Sequence, residues 1–162
     1  MRFSAGFSLI ELTIAIFLLG VAGALTYPML SNSWNNQKLR HYSLLTLAEF
    51  QHARQLAITS ERDVVLRIDR DYLCTGFADE AIDKCQPSAF LLEHGFQFKH
   101  NYGRNTPVQF TAGRGFAAFS AGQVAIVKAS HAEVSGLIIS SLGRIRWCQW
   151  GTALHGVAHC DS

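Results

Sequence analysis

From Phe7 to Leu30 the chain is one apolar run that carries a single charged side chain, Glu11. As a helix this run would be about 36 Å long, enough to cross a bilayer. A carboxylate in such a helix costs about 2.5–3.5 kcal/mol at full depth and less near the interface. Pairing with a buried ammonium removes much of that cost. The run therefore predicts a helix kept in an apolar environment, with Glu11 matched by an amine on another copy of the same kind of helix.

Only Met1-Arg2-Phe3-Ser4-Ala5-Gly6 precedes the run. Arg2 favours a cytoplasmic N-terminus. A secretory signal places its small-residue cleavage site after the apolar segment. Here the small residue, Gly6, comes before it, so a cut after Gly6 would remove the charged head and leave the helix intact. Gly6-Phe7-Ser8-Leu9-Ile10-Glu11-Leu12 resembles the class III signal of type IV prepilins and type II secretion pseudopilins. That resemblance implies cleavage at Gly6–Phe7 by a membrane-embedded prepilin peptidase and N-methylation of Phe7. It also puts Glu11 at the position that pairs with a neighbouring subunit's N-terminal amine during assembly.

The chain has 162 residues, which leaves room for one domain beyond the anchor. The expected organisation is a leader at 1–6, a membrane and assembly segment at 7–30, an amphipathic half-helix at 31–60 and a β domain at 61–162. Gly20, Gly23 and Pro28 are places where the first helix can bend or melt. Leu39, Tyr42, Leu45, Phe50, Ala53, Leu56 and Ala57 then form one helical stripe, suited to lie on a sheet.

After Asp63 the pattern changes to short β-branched and aromatic runs punctuated by glycine. Strands are expected at 64–68, 72–77, 90–92, 96–98, 108–110, 115–119, 124–128, 134–140 and 144–147. A long N-terminal helix packed on an antiparallel β domain is an α+β fold.

Cys74, Cys85, Cys148 and Cys160 all follow the anchor, on the periplasmic side if Arg2 stays inside. That compartment permits disulfides. Of three possible pairings, Cys74–Cys85 and Cys148–Cys160 each close a short loop between strands. Cys148, His155, His159 and Cys160 also contain zinc-ligand types, but no Cys-x2-Cys knuckle accompanies them, so no metal or other cofactor is expected. No nucleophile elbow, phosphate-cradling loop or metalloprotease helix is present, and Asp69 and Asp71 fall on a turn. The reading is not that of an enzyme.

Charge is uneven. Residues 61–98 hold four Arg/Lys and eight Asp/Glu, whereas residues 99–162 hold six and two. The C-terminal half thus suits an anionic partner. Within it lies Gly143-Arg144-Ile145-Arg146. Gly143 fits a turn into a strand, and alternation would then turn Arg144 and Arg146 together to solvent with Ile145 and Trp147 inward. Paired guanidinium groups match phosphate oxygens. The plainer reading is a charged edge strand. Trp147 and Trp150 flank Cys148 and suit packing around a disulfide better than base stacking.

Phe110-Thr111-Ala112-Gly113-Arg114, followed by Val134 through Gly143-Arg144-Ile145-Arg146, resembles the GspH/FimT family of minor pilins. The Gly-Arg-x-Arg element is similar to the DNA-binding motif of the FimT-type members, which take up DNA in natural transformation. The resemblance implies non-sequence-specific DNA binding by Gly143, Arg144 and Arg146; Lys128, Arg104 and Arg114 are added on charge alone. It implies other major and minor pilins as partners, with the protein in the inner membrane before assembly and in a surface pilus after it. The alternative is a GspH/FimU-like structural subunit that initiates or caps a pilus or a type II secretion pseudopilus.

Overall fold

The computed structural model describes residues 8–80, 90–92, 95–102, 108–118, 121–128, 134–151 and 154–160, except for the side chains of 25, 26, 28–32, 90, 91 and 134. The chain divides after Gln37 into two units. Helix α1, Leu9–Ser60, belongs to both. It continues through Gly20, Gly23, Pro28 and the polar stretch beyond, where a bend or break was expected. Proline removes one backbone donor but is accommodated within a long helix that keeps its other bonds. Among the described residues no helix is long and apolar enough to cross a membrane. The expected span also includes Phe7 and side chains outside the described set.

In the second unit eight strands form two antiparallel four-stranded sheets. The first has the order β3-β2-β1-β5, with β1 at Val64–Ile68, β2 at Tyr72–Phe77, β3 at Phe90–Leu91 and β5 at Val108–Phe110. The second has the order β4-β6-β7-β8, with β4 at Phe96–His100, β6 at Gly122–Lys128, β7 at Val134–Ile139 and β8 at Ile145–Trp150.

The C-terminal part of α1 buries Phe50, Ala53 and Ala57 in one core with Val64, Leu66, Phe110, Val124, Ile126, Leu137 and Ile139. Each large side chain so buried contributes about 1.5–3 kcal/mol. The buried stripe differs from the one expected. Leu45 is 38% exposed, while Ser43 and Thr46 are buried. Their hydroxyls donate to the Leu39 and Tyr42 carbonyls one turn back, which satisfies them without water.

Ser43 also reaches the sheet, its Oγ lying 2.9 Å from that of Ser135 on β7. Trp147 Nε1 donates to the same Ser135 oxygen at 2.9 Å. Each hydroxyl has one proton, and Ser43's goes to Leu39, so Ser135 donates to Ser43 and accepts from Trp147. Trp147 therefore faces the helix, with the Arg40 guanidinium 5.7 Å from its ring centroid. This corrects its expected place around the disulfide, because Cys148, the next residue, points to the other face of β8.

α1 ends with Glu61 at φ 52°, a left-handed C-terminal cap. Ala57, in the last turn, has its carbonyl taken by the Gly113 N–H. That contact begins a loop, residues 111–116, folded against the helix end. Residues 115–119 were expected to be a strand. Instead Gly113 and Gly115 adopt φ 65° and 61°, which breaks extended geometry, and among the described residues of that stretch only an isolated bridge from Ala117 to Phe110 remains.

Candidate nucleic-acid interface

The hairpin turn between β7 and β8 carries the Gly-Arg-x-Arg element. Gly143 sits at φ 74° and its N–H donates to the Ser140 carbonyl. Arg144 is the last turn residue rather than the first of the strand; its N–H donates to Ser140 Oγ and its carbonyl accepts from the Ser140 N–H. Arg144 and Arg146 are both exposed, and Ile145 and Trp147 are half-buried against the core, as alternation requires. Arg146 donates through Nη2 to the Cys160 carbonyl at 3.2 Å, which fixes one edge of its guanidinium plane.

A second arginine-bearing turn lies against the first. In the 111–116 loop, Thr111 N–H donates to the Phe116 carbonyl, Gly115 N–H to the Thr111 carbonyl, and Phe116 N–H to Thr111 Oγ1. Gly115 and Gly143 touch so closely that a Cβ on Gly143 would collide with the Gly115 carbonyl oxygen. Ala117 N–H donates to the Ser141 carbonyl at 3.1 Å. The segments 115–117 and 141–143 thus run antiparallel. Phe116 and Leu142 lie on these two segments, and Arg114 and Arg144 each adjoin one of the touching glycines. Arg54 on α1 donates through Nε to the Gly115 carbonyl at 3.2 Å, adding a third guanidinium behind the junction.

Arg114 and Arg144 are exposed, as are the apolar residues on the other side of the touching glycines, Phe116 at 39% and Leu142 at 67%. Arg54, Phe116 and Leu142 were missed in the sequence. Gly-Arg occurs at 103–104, 113–114 and 143–144, so the dipeptide alone does not say which turns meet.

Lys128 does not join this group. It lies at the far end of β6, whose first residue, Gly122, pairs with Ile139 beside the turn. Six residues of strand separate the two ends, about 20 Å. Its ammonium instead lies over the Phe96 ring, 5.9 Å from the centroid. Arg104, Gly6, Phe7 and Cys85 lie outside the described residues. Glu11 is exposed in the first turn of α1.

Cys148 and Cys160 form a disulfide, with Cα atoms 4.9 Å apart. Their sulfurs are thus unavailable to zinc, and no metal-binding group occurs among the described residues. Cys74 is also disulfide-bonded. The C-terminal segment is further tied by Gln149, whose side-chain amide donates to the Leu154 and Val157 carbonyls and accepts from the Leu154 N–H. Backbone bonds from Gln149 N–H to Ala158 and from Cys160 N–H to Gln149 lay residues 158–160 along the outer side of β8.

Residues 1–27 match the prokaryotic N-terminal methylation motif. The fold is similar to that of the type IV minor pilin FimU of Pseudomonas aeruginosa, with a TM-score of 0.59 and 19% identity over 74% of this chain and 98% of that one. It is also similar to the minor pseudopilin EpsH from the type 2 secretion system of Vibrio cholerae, with a TM-score of 0.54 and 17% identity over 71% of this chain and 99% of that one. No curated protein matches the sequence. The chain thus joins a prepilin-type methylation motif to a pilin-like fold.

Proposed function

We propose that the protein is a minor subunit of a type IV pilus, and that it binds DNA through Arg144, Arg146 and Arg114 for uptake in natural transformation. The N-terminal methylation motif and the pilin-like fold support the filament role. In that role a peptidase cuts at Gly6–Phe7, Phe7 is methylated, and the apolar helix holds the subunit in the inner membrane until Glu11 meets a neighbour's amine.

The observation that carries the DNA reading is the contact between Gly115 and Gly143, which brings together the two turns that bear the exposed Arg114 and Arg144. Arg146, whose guanidinium is already bonded to the Cys160 carbonyl, would bind phosphate with less loss of side-chain freedom. Phosphate contacts carry no base information, so binding is independent of sequence. Three such contacts give micromolar affinity and a log–log salt slope of about −2.7 on duplex DNA.

The test is DNA affinity of the full chain in detergent as salt is raised. Arg144→Ala/Arg146→Ala should lower affinity about tenfold and flatten the slope. Equal binding by wild type and variant would remove the proposed site.

The likeness to FimU and EpsH favours a second reading, a structural subunit that initiates or caps a pilus or secretion pseudopilus. Co-purification with sibling pilins, without DNA binding even at low salt, would select it.

A further inference from the structure

Cys160 is gripped three ways by β8. Its sulfur is bonded to that of Cys148, its N–H donates to the Gln149 carbonyl, and its own carbonyl accepts from Arg146 Nη2 at 3.2 Å. The third contact reaches the proposed DNA site. Arg146 and Cys148 stand two apart on β8 and so share a face. A residue joined by a disulfide to Cys148, with Cα atoms 4.9 Å apart, is thereby carried to Arg146.

Gln149 holds the same segment by a separate route. Its side chain donates to the Leu154 and Val157 carbonyls and accepts from the Leu154 N–H, and its backbone N–H donates to the Ala158 carbonyl. Gln149 and Cys160 are both buried, so these ties form away from water, where a hydrogen bond is electrostatically stronger. Arg146 itself is exposed. Its guanidinium is a rigid plane, so one bond orients the whole group. An exposed arginine without such a bond samples many rotamers and loses that freedom on meeting a phosphate.

Resting on the DNA reading above, we infer that the Cys148–Cys160 disulfide and Gln149 are positioning elements of the DNA site, holding the Cys160 carbonyl where it orients Arg146 for a phosphate. Neither has to touch the nucleic acid. Opening the disulfide leaves that carbonyl in the chain but lets it wander. Arg146 still reaches phosphate, but must first be ordered. The number of phosphate contacts, and with it the salt slope, stays the same while affinity falls.

The experiment measures fluorescence anisotropy of a labelled duplex oligonucleotide with the full chain in detergent, over a salt series and well below the melting temperature of each variant. Cys148→Ser/Cys160→Ser should weaken binding about threefold with an unchanged log–log salt slope. Gln149→Ala, with the disulfide intact, should act in the same direction and less. Arg146→Ala should instead flatten the slope by about 0.9. In an Arg146→Ala background, opening the disulfide should change nothing. Unchanged affinity on opening the disulfide overturns the inference, as does an equal loss in the Arg146→Ala background, which would mark a general structural effect. Tighter binding overturns it too, since the Cys160 carbonyl would then compete with phosphate. If Arg144→Ala/Arg146→Ala binds DNA as well as wild type, the DNA reading itself fails; if that variant binds weakly but the disulfide variant does not, only the positioning role fails.

Discussion

Gly143 packs directly on Gly115: the space where a Gly143 side chain would begin is occupied by the Gly115 carbonyl oxygen. Both residues also have positive φ, at 74° and 61°. A side chain on Gly143 would displace the Gly115 turn, whereas one on Gly115 would press on Ile58 and Arg54 of α1.

Gly143→Ala should therefore destabilise the domain by about 2 kcal/mol or more, through left-handed strain and the collision together. Gly151→Ala is a useful contrast, since φ there is also positive but nothing lies within 4 Å. It should cost about 1 kcal/mol. Thermal unfolding of the two variants checks the difference, and equal shifts would show that the contact adds nothing.

Most strand positions and the Gly-Arg-x-Arg turn were legible because each depends on local pattern; the expected strand at 115–119 was not, since the left-handed glycines at 113 and 115 turn the chain there. Val64–Ile68 is β-branched, and Gly143 marks a turn wherever its neighbours go. The partner of that turn was not legible, because Gly115 and Gly143 are distant in sequence and meet only through tertiary packing. That Lys128 stands at the far end of β6 from this turn was not legible either, because net charge counts a residue without saying at which end of a strand it stands. Ser43 and Thr46 escaped the helical stripe because their burial depends on hydroxyls satisfied from within the helix.

Ser135→Ala leaves the indole N–H of Trp147 without its acceptor and Ser43 without its donor. A loss of about 1–3 kcal/mol is expected. Ser135→Ala combined with Trp147→Phe should cost less than the two separate losses added, which a double-mutant cycle in denaturant would measure.

Cys148→Ser/Cys160→Ser opens a loop of twelve-residue separation. Stability should fall by about 2–4 kcal/mol. Gln149→Ala acts on the same segment by a different route, leaving the Leu154 and Val157 carbonyls short of a donor. Hydrogen exchange should then rise at residues 154–160 first in both variants. Unchanged protection there would show that the segment is held by neither tie.

Tyr102 has its hydroxyl buried without a hydrogen-bond partner among the described residues. Burial disfavours the phenolate and pushes the group up to about 12 from an ordinary 10.0. Its folded-state value is raised, so its contribution to stability is full below about pH 10 and is lost as pH rises toward 12. Tyr102→Phe should remove that alkaline loss and add about 1 kcal/mol at neutral pH. Denaturant melts from pH 8 to 12 would show the two curves separating only if the hydroxyl is responsible.

On the assembly role proposed above, Glu11→Ala should block incorporation into filaments while leaving Gly6–Phe7 cleavage largely intact, since that role uses the carboxylate for pairing and not for the cut. Immunoblots of sheared pili and of membranes separate these two steps. Normal incorporation would refute the pairing.

The short segment from Gly115 to Ala118 bonds to β5 through Gln109 and to the β7–β8 turn through Ser141. It joins the two sheets as a rivet joins two plates. A tug on Arg114 or Phe116 is therefore shared as shear between both sheets instead of peeling one strand from its neighbour. Hydrogen bonds loaded in parallel must fail together, so a pull on residues 114–116 is borne by bonds to both sheets at once.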